Sequence, residues 1–139
     1  MMSTISQNFI RSPHFAVVGA STNRSKFGNR ILRWYKDHGL SVTPINPKEA
    51  VIEELPAITS IADLTNPTQT ALSIITPPSV TLGVLEQAKE LGIKYIWIQP
   101  GGEDKAVLDY AKSSGLDIIA GGPCLLVDGP HLLANRSQL

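Results

Sequence analysis

The segment Gly19-Ala20-Ser21-Thr22-Asn23-Arg24-Ser25-Lys26-Phe27-Gly28 concentrates groups that can hold an anion. Gly19 permits a sharp backbone turn. Ser21, Thr22, Asn23 and Ser25 supply hydroxyls and an amide, and Arg24 and Lys26 supply charge. A helix beginning near Phe27 or Gly28 would direct its unpaired N–H groups at the same place. Together these groups suit a phosphate or pyrophosphate. The spacing is neither G-x-G-x-x-G nor the Walker pattern G-x-x-x-x-G-K-[ST]. The same residues also fit a polar loop with solvated charges.

Further along, Asn46-Pro47-Lys48 stands where an NAD site would place an acid on the ribose 2′-hydroxyl. An amide and a lysine there point instead to a ribose that carries a phosphate, or to a plain solvated loop. In Thr76-Pro77-Pro78-Ser79-Val80 the prolines make a stiff wall, Ser79 is the expected helix cap, and Val80 offers an apolar face. An ordinary strand-to-helix connection has the same composition. Gln99-Pro100-Gly101-Gly102 combines an amide with two residues that allow close backbone approach. Gly121-Gly122-Pro123-Cys124 closes the series.

Catalysis needs a nucleophile, a base and an orienting group within reach. The single thiol is Cys124, and His14, His38 and His131 fall at none of the other strand ends. No His, Cys or Asp cluster has metal-ligand spacing, and no pair of carboxylates reads as an acid and a base. The expectation is no catalytic residue and no metal. Cys124 reads either as a small half-buried residue or as a strand-end thiol able to form a mixed disulfide with a ligand thiol.

The elements that must position these residues alternate in type. Short apolar runs at 14–21, 41–47, 70–78, 94–102 and 116–122 read as strands. Between them, 27–39, a segment from Ser79 to Gly92, and 103–114 read as helices, with Gly39, Gly92 and Gly115 as stops. Residues 51–64 are irregular and suggest a short edge strand and a short helix. The pattern predicts an α/β fold: a doubly wound, mainly parallel sheet of five or six strands with helices on both faces. Ligands of such folds bind beyond the carboxyl ends of the strands, where strand order reverses. All five segments singled out above converge there.

One domain accounts for all 139 residues, with 1–12 expected to be a flexible N-terminal segment. Hydrophobic residues make up 42% and charged residues 17%, a globular balance without a membrane-length apolar run. The formal charge is zero, which argues against a generally basic nucleic-acid binder. That total hides an asymmetry. Residues 1–48 carry seven basic residues and one acid, and 49–139 carry five basic residues and eleven acids. The basic excess falls on the segment with the glycine loop and Lys48, where a small polyanion would lie. A lone cysteine and the absence of a secretory core point to the cytoplasm, with a mitochondrial destination also open because the first residues lack acids. The apolar stretch Leu125 to Leu133 is expected to cover the sheet edge or to pair with a second chain.

The pieces VVGAS (17–21), KFGNRIL (26–32), INPK (45–48), ITPPSV (75–80), IWIQPGG (96–102) and, more loosely, GGPC (121–124) resemble the CoA-binding domain family. That family includes small stand-alone proteins and the CoA-binding domain of the succinyl-CoA synthetase α subunit. The resemblance covers about residues 14–124 and implies a Rossmann-like fold that binds coenzyme A or acyl-CoA. It also implies an edge strand near 55–58, with the strand at 71–75 beside the first. By position Gly19, Ala20, Ser21, Thr22, Lys26, Phe27 and Gly28 would surround the phosphates. Asn46, Pro47 and Lys48 would approach the adenosine end. Thr76, Pro77, Pro78, Val80, Gln99, Pro100 and Gly101 would line the remainder, with Cys124 as a thiol contact. The chain departs from the synthetase subunit at GPCLLVDG, where the subunit is GPNCPG-like, and it has no counterpart of the phosphohistidine domain. The expected function is a regulatory or carrier-like CoA-binding module without its own catalysis. The alternatives are an NADP(H)-dependent oxidoreductase and a partner-dependent subunit of an acyl-CoA synthetase. Homo-oligomerisation or an unknown protein partner fits either.

Overall fold

The computed structural model describes residues 4–136. Five parallel strands, β1 (His14–Val18), β2 (Val42–Ile45), β5 (Thr70–Ile74), β6 (Tyr95–Ile98) and β7 (Asp117–Ile119), form one sheet in the order β2-β1-β5-β6-β7. The chain moves one way from β1 to β2, then crosses back to lay β5 on the other side of β1. The reversal of strand order therefore falls between β1 and β5. This is the doubly wound, Rossmann-like arrangement with its switch point at the end of the first strand.

Strand alternation sorts the core into two layers. Phe15 and Val17 of β1 face one cluster, together with Phe9, Ile31, Leu32, Tyr35, Trp97 and Leu132. Ala16 and Val18 face the other, with Leu72, Ile74, Leu85, Ile96 and Val107. The first layer is roofed by α1 (Thr4–Ile10), α2 (Phe27–Asp37) and α5 (Leu125–Arg136), and the second by α3 (Pro78–Glu90) and α4 (Lys105–Ser113). Tyr35 is buried and shares a 2.6 Å hydrogen bond with the buried Ser73 of β5, which leaves neither hydroxyl unpaired inside the core.

Three expectations need correction. Within the segment expected to be flexible, 1–12, residues 4–10 form the helix α1, whose Phe9 and Ile10 are fully buried, and residues 1–3 lie outside the described residues. Burial of two large side chains outweighs the poor autonomy of a seven-residue helix. Ser79 does not cap α3. The helix starts at Pro78, with Pro77 at its cap position, because a proline at the first helical position has no N–H to satisfy. The stretch after β2 makes a separate two-stranded antiparallel hairpin, β3 (Val51–Ile52) and β4 (Leu55–Pro56). Only Ile58, through an isolated parallel bridge to Ile45, extends the main sheet as the edge expected near 55–58. Helix α5 covers the first face by packing on α1 and α2.

At the amino end of β1, His14 ties two strands together. Its Nδ1 lies 2.6 Å from Ser41 Oγ and its Nε2 lies 2.8 Å from Thr43 Oγ1. Burial pulls its imidazole below the ordinary value of 6.5. The unfolded chain therefore binds more protons than the folded one as pH falls below the ordinary histidine value, and stability rises with pH there. His14's contribution is complete above the unfolded value and is lost as pH falls through the folded value. A series of thermal midpoints from neutral to mildly acidic pH should show a decline that is shallower in His14→Gln. Parallel declines in the two proteins would disprove the assignment.

Candidate functional site

The carboxyl ends of β1, β2 and β5 enclose a mainly apolar cleft of about 340 Å³. Val18, Gly19, Ile45, Pro47, Thr76, Val80 and Val84 line it, together with Thr59, Ser60, Ile61 and Gln87. A second cleft of about 280 Å³ lies beside it, between Phe27, Ile75, Thr76, Pro77, Pro100, Gly101 and Gly102. Thr76 belongs to both. Its hydroxyl is 2.7 Å from that of Thr81, one turn into α3, which fixes the rotamer at the junction.

Backbone packing explains two of the glycines. Gly19 has φ +92°, and a Cβ there would overlap the carbonyl oxygen of Ile75. A Cβ on Gly28 would overlap the carbonyl oxygen of Gly19. The first turn of α2 thus sits directly on the end of β1. Neither α2, with Lys26 at its cap position, nor α3, with Pro77 there, receives a side-chain capping bond. Their leading N–H groups and positive dipole ends flank the junction of the two clefts.

The remaining expected residues divide by role. Ala20 is buried, and its carbonyl accepts from Asn46 Nδ2 at 2.9 Å. Asn46 Oδ1 accepts from the N–H groups of Lys48 and Glu49, at 2.8 and 3.1 Å. Asn46 is therefore spent as a clamp between the loops after β1 and β2. Ser21, Thr22, Lys26 and Lys48 line neither cleft, and the last three are exposed. Pro78 opens α3 and lines neither cleft, whereas Val80 lines the first and is 48% exposed. Gln99 is fully buried: its Oε1 accepts from Leu125 N–H at 3.0 Å, and its Nε2 has no partner. Cys124 is half-buried, lines neither cleft, and donates its N–H to Asp128 at 2.9 Å at the start of α5.

The structure adds residues that sequence reasoning did not name for the site. Ser60 caps a short turn at Ile61–Asp63 by accepting from Ala62 N–H, and so sets Thr59, Ser60 and Ile61 against the apolar cleft. Val84 and Gln87 follow Val80 at helical spacing. That spacing was a readable signal, and the capped turn was not.

The basic excess before residue 49 is partly consumed inside the fold. Asn29 is fully buried and donates to the carbonyl of Ser21 at 2.8 Å and to Glu53 Oε2 at 3.1 Å. It accepts from Arg33 Nε at 2.7 Å, and Arg33 Nη2 also donates to the carbonyl of Arg24 at 2.9 Å. Arg24 Nε lies 3.4 Å from Glu53 Oε2. Lys36 donates to the Glu53 carbonyl at 2.6 Å and lies 3.9 Å from Glu54. The hairpin tip is thereby strapped to the glycine loop. Both tip residues, Glu53 at φ 49° and Glu54 at φ 67°, are left-handed. Such residues cost on the order of 1–3 kcal/mol each unless their surroundings hold them.

Among the described residues no group of three or more His, Cys, Asp or Glu side chains could hold a metal. No helix among them is long and apolar enough to cross a membrane.

Comparison with known proteins identifies the fold's lineage. Residues 13–130 match the family model described as the CoA binding domain. The chain belongs to the CoA-binding domain family. This CoA-binding domain is 30% identical over 131 residues to an ADP-forming acetate–CoA ligase of Methanocaldococcus jannaschii, covering 88% of this chain and 18% of the ligase. The chain thus spans less than a fifth of the length of that curated relative. Among solved structures, a conserved hypothetical protein from Pyrococcus furiosus superposes with a TM-score of 0.77 at 34% identity, covering 83% of this chain and 97% of that one. A hypothetical protein from Pyrococcus horikoshii superposes with a TM-score of 0.82 at 26% identity, covering 93% and 89%. The family membership agrees with the resemblance drawn from VVGAS, KFGN, INPK, ITPPSV and IWIQPGG.

Proposed function

We propose that this CoA-binding domain holds coenzyme A or an acyl-CoA across the two clefts that meet at Thr76, as a regulatory or carrier-like module without its own catalysis. The observation that carries the proposal is the cradle at Gly19 and Gly28. There the two glycines let the ends of β1 and β5 and the first turn of α2 close on one another, which sets two helix N-termini without side-chain caps at the junction of the clefts. This is what a pyrophosphate needs. Ser21, Thr22 and Lys26 stand on the same loop and supply further donors and charge. The apolar cleft lined by Ile45, Val80 and Val84 suits the adenine. The neighbouring cleft between Phe27, Pro77, Pro100 and Gly101 suits the pantetheine arm. Lys48, exposed beyond β2, faces the 3′-phosphate in this arrangement.

Thermal midpoints with CoA, acetyl-CoA, NADP and NAD test it, since a ligand of the folded state stabilises by about 2.7 kcal/mol at a hundred times its Kd. Rises with CoA and acetyl-CoA are expected, strongly reduced in Lys26→Ala and smaller for 3′-dephospho-CoA. A rise with NADP alone would overturn this reading. A second reading is favoured by the coverage of the ligase, of which this chain matches 18%. In it the domain delivers CoA to separate catalytic modules of an acyl-CoA synthetase, and co-purification with such a module would support it.

A further inference from the structure

We propose that Glu53 is an internal anion that occupies Arg24 until a phosphate-bearing ligand displaces it, so that the β3–β4 hairpin sets the affinity of the glycine loop. The inference rests on the loop being the phosphate cradle proposed above. It adds two residues, Arg24 and Glu53, that line neither cleft.

The geometry is specific. One carboxylate oxygen of Glu53 accepts from Asn29 Nδ2 at 3.1 Å and forms an ion pair with Arg24 Nε at 3.4 Å. The same Asn29 nitrogen donates to the carbonyl of Ser21, so the carboxylate stands one amide group away from the loop backbone. The two partners differ in freedom. Glu53 retains 18% side-chain exposure, whereas Arg24 retains 66% and projects from a loop. A guanidinium that is mostly in solvent and weakly paired can change partner at small cost. A phosphate offers more charge and more acceptor oxygens than a carboxylate, and the planar guanidinium fork can engage two of them at once.

The hairpin has a reason to respond when Arg24 leaves. Its two-residue turn places left-handed backbone at Glu53 and Glu54, where asparagine and glycine are the usual choices. That conformation is held from outside, by Asn29, Arg24 and Lys36. Loss of the Arg24 contact removes one of the three restraints and loosens the tip. Ligand binding and hairpin order are then coupled with opposite sign.

The test compares CoA affinity in wild type, Glu53→Gln, Arg24→Gln and the double variant, by calorimetry or by the thermal midpoint. Glu53→Gln keeps an acceptor for Asn29 and removes the competing charge, so CoA binding should tighten about threefold to fivefold. Arg24→Gln should weaken it by about tenfold. In the Arg24→Gln background the gain from Glu53→Gln should disappear, because the two side chains act on each other. Hydrogen exchange of the wild-type amides at 53–55 should quicken when CoA is added. Binding that is unchanged or weaker in Glu53→Gln overturns the proposal. So does a gain that persists undiminished without Arg24, which would be a general field effect, and so does hairpin exchange that stays level or slows. If wild type responds to CoA and Lys26→Ala does not, those failures fall on this inference alone. Absence of any CoA response in wild type removes the binding proposal and this one together.

Discussion

Replacing Gly28 by alanine is expected to eliminate the CoA-dependent rise in thermal midpoint and to destabilise the ligand-free chain by about 1–3 kcal/mol. Alanine is ordinarily the better residue inside a helix, by about 0.5–1 kcal/mol. Here that preference is overruled, because the added Cβ would occupy the space of the Gly19 carbonyl oxygen. Gly19 in turn is packed on the carbonyl of Ile75 and has no room to retreat. Helix α2 must therefore move away from the end of β1, and the cradle opens. Urea unfolding and a CoA titration of the purified variant measure both effects. A variant as stable as wild type with an unaltered CoA response would show that the close approach has no functional weight.

The larger loss of stability is expected from Phe9→Ala, about 3–5 kcal/mol. Phe9 is fully buried, with its ring centroid 5.6 Å from that of Phe15 and 5.4 Å from that of Trp97. The contact with Trp97 is edge-on, a favoured aromatic geometry. Truncation would leave a cavity under α1 and against β6 that those rings cannot fill without leaving their rotamers. Such a loss is a large fraction of the total stability of an ordinary domain. Denaturant midpoints before and after the substitution decide the matter. A change below about 1 kcal/mol would be inconsistent with a core position.

These two residues also mark how far the sequence could be read. Gly28 was legible. It follows a strand-terminal glycine at the start of an amphipathic run, and the phase of Phe27, Ile31, Trp34 and Tyr35 put a helix start beside it. The same kind of reasoning located the five strands, because each is a short apolar run ended by glycine or proline. Phe9 was not legible. Ile5, Phe9 and Ile10 stand at i, i+4 and i+5, but one turn of spacing in a seven-residue segment is too little to mark a helix, and only the face made by Phe15, Trp97 and α5 gives these side chains a place to go. The hairpin escaped for a related reason. Glu53-Glu54 carries no turn signature, since its left-handed backbone is imposed by Asn29, Arg24 and Lys36 from elsewhere in the fold. The charge asymmetry was legible as arithmetic but not as purpose. Arg24 and Lys36 pair with the hairpin, and Arg33 holds Asn29 and the loop backbone.

The pairing of α1 with α5 bears on how the first strand is anchored. Arg136 Nε donates to the carbonyl of Ile10 at 2.8 Å, so the first and last described helices meet at one spot. Ile10 precedes β1, and Gly19 follows it, so that spot and the cradle belong to opposite ends of the same strand. Arg136 therefore braces the amino end of the strand whose carboxyl end borders the apolar cleft. A brace at that end can hold β1 in place without occupying the crevice.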